Sequence, residues 1–92
     1  MKEIEKISLI EGLFEPIEAK ELLISILSNK IQFHQLKNFS LVERFGKEDE
    51  NSKRRIPELK NSIEKTLEII TRANEFNMKI KISSIINIQL TE

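Results

Sequence analysis

His34 is the only side chain in this 92-residue sequence that titrates near neutrality, so any acid–base chemistry would centre on it. On a helical wheel it shares the apolar side of its segment with Leu23, Leu27, Lys30 and Lys37. If the chain folds back about Asp49, His34 meets Glu64, Lys30 meets Glu68 and Lys37 meets Asn61. That register predicts a polar layer of His34, Lys30, Lys37, Glu64 and Glu68 inside a helical hairpin. Such a layer could orient His34 as a general base through Glu64. It could equally pair its own charges and fix the helix register, as buried polar groups require. The second use is expected, because no nucleophile of defined geometry, no phosphate-cradling loop and no second His accompanies His34.

A second cluster surrounds the expected turn. Arg44, Lys47, Lys53, Arg54 and Arg55 form the most basic part of the chain, and Phe39 and Phe45 flank it. Arginine forks suit phosphates and aromatic rings can stack on bases, which makes nucleic acid a candidate partner. Glu43, Glu48, Asp49, Glu50 and Glu58 interleave with these cations and nearby Lys60, however, and leave the tip at +1. A salt-bridged, solvated tip is the expectation, with a protein partner ahead of nucleic acid.

Composition narrows the chemistry further. The absence of Cys removes disulfides, thiolate nucleophiles and zinc–thiolate sites. A di-metal bundle would need Glu three residues before His34, where Ile31 stands, and no stretch has the alternating acids of a calcium loop. Only two glycines are present, too few for a Gly-rich phosphate loop. No cofactor and no enzymatic activity are therefore expected. Equal numbers of acidic and basic residues, 15 each, give no bulk attraction to polyanions or anionic membranes. No apolar run approaches membrane-spanning length, and the first residues lead into no apolar segment, so a cytoplasmic protein without a signal peptide is expected.

The elements that must position these residues follow from periodicity. From Lys79 to Leu90, Ile80, Ile82, Ile86, Ile88 and Leu90 share one parity, while Lys79, Lys81, Ser83, Asn87 and Gln89 share the other. That alternation predicts a strand over about 79–90, with Ile85 the exception on its polar face. Ile7 and Leu9 alternate more weakly, predicting a strand over about 3–10 that ends at a Glu11–Gly12 turn. Pro16 opens a helical pattern carried by Ala19, Leu22, Leu23, Ile26, Leu27, Phe33 and Leu36, expected to run to about 39. Ser40 and Glu43 have capping-box spacing, which predicts a break and a short turn over 41–45. A polar loop over 46–52 precedes a second helix over about 53–77, with Ile56, Leu59, Ile63, Leu67, Ile70 and Ala73 on one face. Pro57 conflicts with a regular start at Ser52.

The expected fold is α+β, one domain ordered β-α-α-β. A long antiparallel helical hairpin packs on a two-stranded antiparallel sheet made by the terminal strands. Two helices of about 36 Å and two strands of about 33 Å make a thin object. A lone two-stranded sheet is marginal and its Ile-rich edge would template further pairing. Completion by a second copy is therefore expected, and the sequence points to a homodimeric interaction or structural module.

Overall fold

The computed structural model describes residues 3–92, in the order β1 (Ile4–Phe14), α1 (Pro16–Phe45), α2 (Glu50–Glu75) and β2 (Ile80–Gln89). The helices form an antiparallel hairpin, and β1 and β2 pair antiparallel in a two-stranded sheet. The α+β architecture expected from periodicity is thus the observed one.

Helix α1 starts where Pro16 supplies a preset φ and needs no hydrogen-bond acceptor. Glu18 reaches back to accept the Glu15 N–H at 3.1 Å, satisfying one orphan donor of the first turn. The helix then runs 30 residues without the break expected near Asn38. The Ser40–Glu43 pair lies inside it, where backbone N–H groups already bond within the helix and leave nothing to cap. Gly46 ends the helix instead, in the left-handed region at φ 67°, with its N–H on the Val42 carbonyl at 2.9 Å.

Helix α2 begins at Glu50, three residues before the expected start, because Asp49 rather than Ser52 is the cap. The Asp49 carboxylate accepts the Ser52 N–H at 3.0 Å. The connection shrinks to residues 46–49. Pro57 sits inside α2 without ending it, although it cannot donate to the Lys53 carbonyl one turn back. At the far end, Asn77 takes a positive φ of 52° and the Met78 N–H returns to the Ala73 carbonyl at 2.9 Å, turning the chain into β2.

Strand β1 passes through the expected turn and reaches Phe14. Gly12, at φ 155°, lets it continue where a side chain would be strained. The register explains why the alternation in β1 was weak. Ser8 faces Ile85 but Ile10 faces Ser84, so Leu9 is an extra residue in a bulge. The bulge flips the parity, allowing Ile7 and Ile10, three apart, to occupy one face. That face carries Phe14, Ile10 and Ile7 opposite Ile80, Ser84 and Ile86. The reverse face is mostly polar, with Lys81, Ser83, Asn87 and Gln89.

The core is small. Ala19, Leu59, Ile70 and Ala73 are buried in the helical hairpin, and Ile10 in the sheet. Ile80 and Ile82 are half-buried and line one depression with Leu23, Ile69 and Ile70, whereas Ile7, Ile86 and Ile88 on the same sheet face are exposed. The helices therefore cover one half of the apolar sheet face and leave the other overhanging. Phe33 and Leu36, expected on the inner stripe of α1, lie on its flank and are exposed. Cα extents of 51 × 33 × 15 Å and a radius of gyration of 16.6 Å describe a thin body. A compact chain of this length would have a radius of about 12 Å.

Replacing Pro57 by Ala restores the missing donor at an exposed site in α2. The expected result is a gain of about 2 kcal/mol in unfolding free energy by urea titration, with helical signal unchanged.

Candidate functional site

The hairpin tip holds the most organised polar cluster among the described residues. α1 carries His34 and Asn38, the loop supplies Asp49, and the first turn of α2 supplies Ser52. His34 is 4 % exposed and Ser52 fully buried. Asn38 Oδ1 accepts the Asp49 backbone N–H at 2.6 Å. The Asp49 carboxylate accepts both the Ser52 N–H and the Ser52 hydroxyl. His34 Nδ1 lies 2.9 Å from Ser52 Oγ.

These bonds fix the proton positions. The one hydroxyl proton of Ser52 goes to Asp49, so Oγ must accept from Nδ1–H of His34. Nε2 then carries the lone pair, buried without a hydrogen-bond partner. Desolvation lowers the His34 pKa below its ordinary 6.5, and the cations of Lys30, Arg55 and Lys37 push it the same way; Asp49 opposes them. Asp49 is itself held below its ordinary 3.8, chiefly by the Ser52 hydroxyl bond.

The sequence of donors runs opposite to nucleophilic catalysis. A serine nucleophile gives its proton to the imidazole and must meet a substrate. Here the serine gives its proton to a carboxylate and is sealed from solvent. The cluster can clamp α1 to the start of α2.

The structure does not assemble the expected polar layer. The partner of His34 is Ser52, while Glu64 and Glu68 are exposed along α2. The reason is register. Asp49 docks on Asn38, so α2 begins a full two turns back from the end of α1, and every facing pair slides accordingly. Lys30 and Lys37 are exposed, with the Lys30 ammonium 4.7 Å from the Phe33 ring centre. Neither Ser52 as the partner of His34 nor Asn38 as the anchor of Asp49 follows from the helical-wheel reading. The available signal was the Asp49-x-x-Ser52 spacing, which places a serine hydroxyl over a helix-capping carboxylate.

At the tip, Lys53 pairs with Glu48 at 2.9 Å, which raises the Lys53 pKa. Glu58 sits 3.9 Å from Arg54 and 3.5 Å from Arg55, and Arg54 also donates to Asn51 at 2.9 Å. Three of the five basic residues are thus engaged with local acceptors, while Arg44 and Lys47 are exposed. Among the described residues no cluster of three or more His, Cys, Asp or Glu side chains could hold a metal ion, and no helix is long and apolar enough to cross a membrane. A shallow, mostly apolar depression of about 410 Å³ lies between Ile69, Phe76, Met78 and Ile80, where α2 turns into β2. No known protein family, curated protein or solved structure matches this chain.

Two outcomes follow for the clamp. Ser52→Ala leaves Nδ1 of His34 without its acceptor and is expected to cost about 1–3 kcal/mol in urea unfolding, against under about 0.5 kcal/mol for the exposed Ser62→Ala. The lowered His34 pKa means the unfolded chain binds more protons just below pH 6.5, so its contribution is complete above that pH and is lost as pH falls toward the folded value. The Asp49 contribution is complete above pH 3.8 and is lost below it. Urea midpoints should therefore fall between pH 7 and 5 in the native chain, and His34→Gln should flatten that slope.

Proposed function

We propose that this protein is a non-catalytic interaction module that works as a homodimer. What supports the reading is surface that one chain cannot hide. The chain exposes 7580 Å², whereas a compact protein of its mass would expose about 5,500 Å². The excess of about 2,000 Å² exceeds the roughly 800 Å² that each partner contributes to a standard stable interface. Much of it is apolar and contiguous in the fold: Ile7, Ile86 and Ile88 on the overhanging half of the sheet, with Leu90 just beyond it. Exposed aliphatic area of this kind marks an interaction surface in a folded protein.

The polar chemistry favours an architectural role for the same chain. Its buried histidine is spent on a helix clamp, and Lys53, Arg54 and Arg55 have carboxylate partners beside them. A loop so neutralised offers little net charge for counterion release on a polyanion. The hairpin, with its exposed Phe39 and Phe45 near the end, is then an arm held out from the paired sheets.

Sedimentation equilibrium at micromolar concentration tests the assembly. The expected mass is twice the 10.8 kDa of one chain. A mass of one chain across that range would end the homodimer reading.

A further inference from the structure

We propose that two copies pair antiparallel through the outer edges of β2, with Ile85 opposite Ile85 at the two-fold axis, giving a four-stranded sheet ordered β1–β2–β2–β1. The inference rests on the homodimer reading and names the surface it uses. A two-stranded sheet leaves each strand one edge without a ladder. β1 is a poor template, since Leu9 bulges out of register and Glu5, Lys6 and Glu11 charge the strand. β2 spans Ile80–Gln89 with Lys81 its only charged residue.

The sequence of β2 reads nearly the same in both directions about Ile85. A two-fold axis normal to the sheet keeps each side chain on its own face and pairs residues symmetrically about that point. On the apolar face Ile80 then meets Leu90 of the second copy, Ile82 meets Ile88 and Ser84 meets Ile86. On the polar face Ser83 meets Asn87, Lys81 meets Gln89 and Lys79 meets Thr91, so no cation faces another. Ile85 is the one apolar residue on the polar face of β2, and in the single chain it is 60 % exposed. Within the chain its cross-strand neighbour is Ser8, and self-pairing adds an apolar one on the other side. Sliding the register by two residues either way, the smallest shift that keeps each side chain on its face, sets it against Ser83 or Asn87 instead.

Coverage agrees with this register. Within each chain the helices shelter Ile80 and Ile82 and leave Ile86 and Ile88 exposed. Antiparallel pairing lays the exposed half of one strand beside the sheltered half of the other. The helical hairpin of each copy thereby flanks the isoleucines its partner cannot cover, and the exchange is reciprocal.

The chain contains no cysteine, so Ile85→Cys carries a single thiol. Directly opposed residues of an antiparallel pair have Cα atoms about 4.5–5.5 Å apart, within disulfide range. Under mild oxidation, Ile85→Cys is expected to cross-link at least about tenfold faster than Lys47→Cys at the hairpin tip, because pairing raises the local thiol concentration. Ile85→Lys sets two ammonium groups across the axis and should sediment as one chain with its helical signal intact, since Ile85 is exposed in the single chain. A native protein of dimeric mass whose Ile85→Cys form cross-links no faster than the tip variant, or whose Ile85→Lys form stays dimeric, overturns the β2 edge and leaves the homodimer standing. A native protein of single-chain mass overturns both.

Discussion

The docking of Asp49 on the two helices is the interaction from which the rest of this structure follows. One carboxylate caps α2 and accepts from the Ser52 hydroxyl, Ser52 Oγ in turn accepts from Nδ1–H of His34, and Asn38 holds the Asp49 backbone. A turn of four residues cannot slide when its last member is held at this many points. The clamp sets which residues of α1 face α2, and so fixes where α2 ends and where β2 must begin.

Because α2 starts two turns behind the end of α1, the far ends of the helices bring Ala19, Ile70 and Ala73 into the core beside the first residues of β2. The sheet is met by helices there and nowhere along its outer half. The burial gradient along β2, from half-buried Ile80 and Ile82 to exposed Ile86 and Ile88, is the mark of that geometry. A fold of two helices and two strands has too little depth to enclose sixteen isoleucines, and the surplus faces outward. The proposed self-pairing follows from this shortage of cover rather than from any one contact. It also gives the histidine clamp a use, since a rigid arm requires helices that do not shift against each other.

Much of the fold was legible because its signals are local. The parity of Ile80 to Leu90 requires only that one face of β2 be drier than the other, and Pro16 and Gly46 act through their own backbone preferences. Other local signals were overruled. Ser40 and Glu43 have the spacing of a cap, but a cap matters only at a helix end, and continuing α1 to Phe45 satisfied the same N–H groups. The turn expected at Glu11–Gly12 gave way because β2 supplied a ladder partner as far as Phe14. The candidate site was legible to the extent that His34 was placed inside the hairpin. Its partner was not, since a symmetric turn about Asp49 pointed to Glu64.

The sequence alone determined the order of elements, their type and the polarity of the two faces of β2, because these depend on interactions within a few residues of one another. The pairing register of the helices, the bulge at Leu9, the proton assignment on His34 and the half-covered sheet were decided only in three dimensions. Each depends on groups far apart in the chain, where a shift of one turn in the hairpin exchanges every contact at nearly the same local energy. The few hydrogen bonds around Asp49 break that degeneracy.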